Sequence, residues 1–174
     1  AARSLFRAEP IEVLAMSERS DDERFREVDE TVSCVLRFPE NRLAQFTCSF
    51  GASDAGYFHI VGDKGDLCLD PAYEYAEPLS YTLTVDDKSN THELAKRDQF
   101  AAELLYFSRC VQTGKDPEPS GLEGLADVRV IRALQRSART GRAVRLEDDL
   151  QVQHPHPRQR IDRPPVRKRR QFRA

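Results

Sequence analysis

No run in the 174 residues approaches the roughly 18 apolar residues of a membrane span, and no basic segment followed by an apolar core marks a secretory leader. The four cysteines, Cys34, Cys48, Cys68 and Cys110, are too far apart for the C-x-x-C spacing of zinc or dithiol chemistry. They read as reduced, buried thiols of a cytoplasmic protein, and no metal is expected. No G-x-G-x-x-G follows a strand, so no nucleotide fingerprint is present. No Ser-His-Asp or Cys-His set can be assembled from spacing, and no catalytic residue is assigned. The chain also lacks an initiating methionine. Its opening AARSLFRAEP resembles the last turns of a helix without a polar N-cap in front.

Charge is abundant, at 32 % of residues, but unevenly placed. Residues 151–174 hold eight Lys or Arg against Asp162 alone, a balance of +7; the net charge of −2 therefore leaves −9 on residues 1–150. That body repels nucleic acid by its overall field. The tail is rich in Gln, His, Pro and Arg and is expected to be disordered. It has neither the aromatic interleaving nor the amphipathy of a nucleic-acid or membrane binder, so neither partner is expected.

The clearest β-signal is ETVSCVLRF–PEN–RLAQFTCSF. A three-residue loop, with Pro39 and Glu40 as a type I turn and Asn41 left-handed, sets Phe38 opposite Arg42, Leu36 opposite Ala44, Cys34 opposite Phe46 and Val32 opposite Cys48. A two-residue loop would shift the register by one and throw the apolar faces apart. IEVLAMSE precedes this pair, with Ser17–Asp29 as a charged loop anchored by Phe25 and Val28. YFHIV, DLCLD, LSYTLTV and an edge strand through THELAK follow, the last after a turn at DDKSN. GDKG at 62–65 reads as a hairpin turn, because a strand and not a helix comes after it.

Two helices follow. DQFAAELLYFSRCVQTGK has Asp98 as N-cap, Gly114 as stop, and Phe100, Leu104, Phe107 and Val111 on one face. Ser120 and Glu123 form a capping box for the second, which carries Leu125, Val128, Ile131, Leu134 and Ala138 inward and stops at Gly141. AVRLE adds a short strand. Strands followed by helices, with no parallel crossover, give an α+β domain over residues 1–150. It is an open, mainly antiparallel sheet of about six to eight strands with helices on one face.

Candidate sites are few. His154 and His156 in the tail are too few for a metal site. His59 lies mid-strand as a structural histidine, and His92 sits by a turn with nothing to activate. Lys96, Arg97 and Gln99 flank Asp98 where strand meets helix. They are either surface groups around a cap or a set that reaches an anionic or polyhydroxyl ligand.

The stretches ETVSCVLRFPENRLAQFTCSFG, IVGDKGDLCLDPAYEY and RDQFAAELLYFSRCVQTGKDPEPSGLEGLADVRVIRALQRSARTGRAVRL resemble the C-terminal domain of the glucose–fructose oxidoreductase / inositol dehydrogenase / MocA family. The likeness is greatest to the glucose–fructose oxidoreductase branch and runs from Ala1 to about Leu146. It implies the C-terminal half of a two-domain oxidoreductase acting on a sugar or polyol. In such an enzyme an N-terminal Rossmann domain binds NAD or NADP and supplies the catalytic lysine. The resemblance also places the proton-transfer residues upstream of Ala1. This chain would then bind no cofactor and be inactive alone. The second half would wall the substrate pocket, with Lys96, Arg97, Gln99, Tyr73 and Tyr75 as candidates. It would also pair subunits through the open sheet face, with Val35, Arg37, Leu43, Gln45 and Thr47 as candidates. The competing reading is a stand-alone, sheet-mediated interaction module without activity.

Overall fold

The computed structural model describes residues 1–75, 77–96 and 98–147. Arg97, the two tail histidines and the basic tail lie outside the described residues. Among those described, the strands are antiparallel and accompanied by helices, an α+β architecture. The eight strands are divided between two four-stranded sheets, and the chain separates into two compact units. Of the described residues, one holds Ala1–Ala52 and residues 116–147; the other holds Ser53–Lys115. No helix among the described residues is long and apolar enough to cross a membrane.

The first unit contains helix α1 (Ala2–Phe6) and strands β1 (Glu12–Glu18), β2 (Thr31–Arg37) and β3 (Leu43–Ser49). The β2–β3 register matches the expectation residue for residue: Leu36 faces Ala44, Cys34 faces Phe46 and Val32 faces Cys48. The turn differs in detail. Glu40 joins Asn41 in the left-handed region, both at φ 59, which is not a type I turn. Arg42 steadies it by donating from Nε to the Pro39 carbonyl at 3.1 Å. In the β1–β2 loop, Asp22 caps a short 3-10 turn over Glu23–Phe25. Phe25 is buried there, but Val28 is exposed and anchors nothing.

In the second unit, β4 (Phe58–Val61), β5 (Gly65–Leu69), β6 (Leu79–Val85) and β7 (Lys88–Leu94) form a meander. Strand β7 begins earlier than the sequence pattern predicts. The turn is only Asp86-Asp87, at φ 50 and 58, so Lys88, Ser89 and Asn90 pair with β6. His92 accordingly lies within a strand, stacked on Tyr81 at 5.0 Å. Gly65 has φ 154, and a Cβ there would collide with the Thr84 carbonyl of β6, so glycine is required.

Helix α2 (Gln99–Thr113) is capped by Asp98, which accepts from the Ala101 N–H, and ends at left-handed Gly114. Phe100, Leu104, Phe107 and Val111, the apolar face of the sequence pattern, are all exposed, and Cys110 is the buried residue of the helix. Helix α3 (Gly121–Thr140) ends at left-handed Gly141. Ser120 accepts from the Leu122 N–H, but Glu123 does not close a capping box; it turns to Arg3 at 3.1 Å.

Strand β8 (Val144–Arg145) borders β1, and the order in this sheet is β3-β2-β1-β8. Helix α3 packs over β1 and β8 with Ala126, Val130, Ala133, Leu134 and Ser137 buried. Leu125, Val128 and Ile131, predicted inward, are 46 %, 49 % and 52 % exposed. Leu134 is buried as expected, beside Val130 and the small residues Ala126, Ala133 and Ser137, while Leu125, Val128 and Ile131 ride on the flank. Since α3 covers β1 and β8, edge strand β3 is left bare. Phe46 and Cys48, expected in the core, are exposed.

Candidate substrate wall and subunit face

Two polar residues that periodicity cannot assign organise the first unit. Ser137 is 0 % exposed. Its Oγ donates to the Arg142 carbonyl at 2.7 Å and accepts from the Ala15 N–H at 2.9 Å. The pairing of β8 with β1 stops at Val13, so the Ala15 N–H lies beyond its reach and the hydroxyl takes it instead. Arg3 is buried on α1. Its guanidinium donates to both oxygens of Glu9 at 2.8 Å and reaches Glu123 and Asp127 on α3. The hydrogen bonds to Glu9, with those to Asp127, raise its pKa beyond the ordinary guanidinium range despite burial. From the other side, Arg42 Nη1 donates to the Phe6 carbonyl at 2.9 Å and stacks on the Phe6 ring. Helix α1 is thus gripped from two sides.

The sheet face turned away from α3 carries every subunit-face candidate. Val35 faces Gln45, Arg37 faces Leu43, and Ser33 faces Thr47. Alternation puts their side chains opposite the buried set of Cys34 and Leu36. The structure adds two residues of β1 that the sequence reading passed over: Leu14, opposite Val35, and Met16, opposite Ser33. Met16 and Leu43 are 72 % and 60 % exposed. Between these apolar side chains run hydroxyl pairs, Thr31 with Ser49 at 2.7 Å and Ser33 with Thr47 at 2.8 Å. At one end, Glu12 pairs with Arg37 at 3.2 Å. Had β1 been read by alternation as β2 was, Leu14 and Met16 would have joined the face.

The wall candidates lie in the second unit. Tyr75 meets Phe100 edge-on at 5.7 Å, which brings the DPAYEYA loop against the start of α2 and so near Gln99. Tyr73 leans on Phe58 at 6.1 Å. Both phenols are exposed, as are Lys96 and Gln99. His59 is held by Asp66, Nε2 to Oδ1 at 2.7 Å, consistent with a structural role. Cys34 is a poor nucleophile: burial pushes its thiol up to about 12.

The profile of the GFO_IDH_MocA_C family, described as the oxidoreductase family C-terminal alpha/beta domain, matches residues 1–146. The chain belongs to this family. Across 148 residues it is 30 % identical to D-xylose 1-dehydrogenase (NADP(+)) 2 of Haloferax volcanii, covering 84 % of this chain and 45 % of that enzyme. Identity to the D-xylose 1-dehydrogenase [NADP(+)] of Haloarcula marismortui is 27 %, over 84 % of this chain and 41 % of that one. Among solved structures, the aldose-aldose oxidoreductase from Caulobacter crescentus, complexed with glycerol, superimposes with a TM-score of 0.76 at 33 % identity. That match covers 83 % of this chain and 44 % of the other. The Gfo/Idh/MocA chain described here thus spans less than half the length of these relatives.

A nicotinamide dinucleotide does not fit the described residues. Such a cofactor sits at the carboxyl ends of parallel strands, on a glycine-rich turn leading into a helix. Every strand pairing here is antiparallel, and the Gly62–Gly65 turn leads into β5. No step of hydride chemistry can be placed on these residues.

Proposed function

We propose that this chain is the substrate-side and subunit-pairing half of a cytoplasmic NAD(P)-dependent oxidoreductase whose substrate is a sugar or a related polyol. The family match over residues 1–146 carries the reading. The named activities of the xylose dehydrogenases and the glycerol-bound aldose-aldose oxidoreductase give its substrate class. Hydride transfer requires nicotinamide and substrate carbon in contact, with a proton donor or acceptor at the oxygen. A dinucleotide-binding domain supplies the first, the catalytic lysine and the proton-transfer groups; this domain closes the site. Tyr73, Tyr75, Lys96 and Gln99 contribute polar edges to the wall, where hydroxyl-rich substrates find hydrogen-bond partners. By itself the chain binds no nicotinamide tightly and turns over nothing.

The open face of β1, β2 and β3 is the contact between copies. Its four exposed apolar side chains, Leu14, Met16, Val35 and Leu43, lie among hydroxyls and one ion pair, as at a subunit interface.

Calorimetry of the chain with NADP and NADPH tests the division of labour; micromolar binding would refute it. Joined to a dinucleotide-binding domain of the family, the chain should oxidise aldoses with NADP, and Tyr75→Ala should raise KM for sugar more than for cofactor. Light scattering should report a dimer or larger assembly, and Leu43→Asp should reduce it to monomer. A monomeric wild type removes the subunit-face assignment and leaves the substrate wall standing.

A further inference from the structure

From Val128 to Leu146 the sequence contains six arginines and no acid. The fold gathers three of them at the far end of α3. Arg136 from the helix, Arg142 from the turn and Arg145 from β8 line one open groove with Thr140, Ala143 and Val144. We propose that this groove binds a phosphate group.

The backbone that carries these guanidiniums is fixed. Arg136 sits in the last turns of α3, Arg145 is paired with Glu12 in the sheet, and the Arg142 carbonyl is held by buried Ser137. Such anchoring lowers the entropy lost when an anion is clasped. Among the described residues, Arg136 and Arg142 have no carboxylate partner, and Arg145 has only a long contact to Glu12, at 3.8 Å. Glu12 is already engaged by Arg37 at 3.2 Å. Three guanidiniums on one groove, offset among the described residues only by that long Glu12 contact, repel one another, and a dianion between them relieves that repulsion.

The helix C-terminus would ordinarily disfavour an anion. Here its carbonyls are occupied: Thr140 Oγ donates to the Arg136 carbonyl at 2.9 Å, and the Gly141 N–H donates to the Ser137 carbonyl at 2.8 Å. The Thr140 hydroxyl proton is thereby committed, so recognition rests on the guanidiniums. Their planar forks match the oxygens of phosphate, whether it comes from a small ester or a nucleic-acid backbone.

Calorimetry on the full chain at low ionic strength, with pyrophosphate and separately with a short DNA duplex, distinguishes the sources. Pyrophosphate should bind saturably at one site, and each of Arg136→Gln and Arg142→Gln should weaken it about tenfold. Arg19→Gln, in the β1–β2 loop, should leave it unchanged. These arginines are exposed, so the variants should retain the wild-type circular dichroism. Pyrophosphate binding without duplex binding assigns a small ester. Duplex binding that falls in the double variant assigns a polymer backbone, and both results uphold the site. Failure of both probes to bind overturns the proposal. So does undiminished binding by the double variant, which would place the affinity in the cations of residues 151–174.

Discussion

Replacing Ser137 with alanine removes one oxygen and should cost more than its size suggests. The hydroxyl makes two hydrogen bonds at 0 % exposure, one to the Ala15 N–H and one to the Arg142 carbonyl. Each such bond contributes about 1 kcal/mol net, and a buried N–H left unpaired costs roughly 1–3 kcal/mol. Ala15 is only 2 % exposed and lies past the end of β8, so water cannot readily replace the lost acceptor. The carbonyl sits nearer solvent and recovers part of its loss by hydration. The sum is about 2–4 kcal/mol of the stability of the first unit. Urea unfolding should show a lower midpoint at unchanged slope, and amide exchange at Ala15 should accelerate more than at Val13, whose β8 partner remains. A loss under about 0.5 kcal/mol, or unchanged protection at Ala15, would refute the assigned role.

Three further outcomes are expected. Arg3→Ala leaves Glu9, Glu123 and Asp127 without their shared cation and should destabilise the first unit by about 3 kcal/mol, read by the same urea titration. Gly65→Ala meets the Thr84 carbonyl and an unfavourable φ, so the β5–β6 pairing should weaken by roughly 2 kcal/mol, seen as faster amide exchange confined to the second unit. In the native state a thiol reagent should label exposed Cys48 first and Cys34 last. The Cys34 thiol is raised from 9.0 to about 12 by burial, so its contribution to stability is complete below pH 9.0 and declines between there and about 12; heat unfolding across that range should show a falling midpoint.

Where local chemistry has one answer, the sequence was a sufficient guide. Only a three-residue loop at Pro39-Glu40-Asn41 aligns the apolar faces of β2 and β3, and the observed register follows it. Asp98, Gly114 and Gly141 mark helix ends because only such residues satisfy those orphan groups or that backbone angle. What was misread involves choices made by packing. Helix α3 has apolar side chains around most of its girth, and size pointed to Leu125, Val128 and Ile131. The sheet took Leu134 as expected but otherwise selected Val130 and the small Ala126, Ala133 and Ser137. Ser137 and Arg3 were invisible as core residues because their partners, Ala15 and Asp127, are more than a hundred positions away. Of the candidate sites, the paired face of β2 and β3 followed from the same register argument. The proximity of Tyr75 to the start of α2 depends on a ring contact that no spacing predicts.

The β6–β7 turn shows that this hairpin has unused stability. Asp86 and Asp87 both adopt left-handed backbone, a conformational penalty at each of the two positions. Asn-Gly would fit the same geometry with a smaller penalty. A lineage could therefore firm up this sheet by two substitutions at an exposed tip, compensating for changes elsewhere that lower stability.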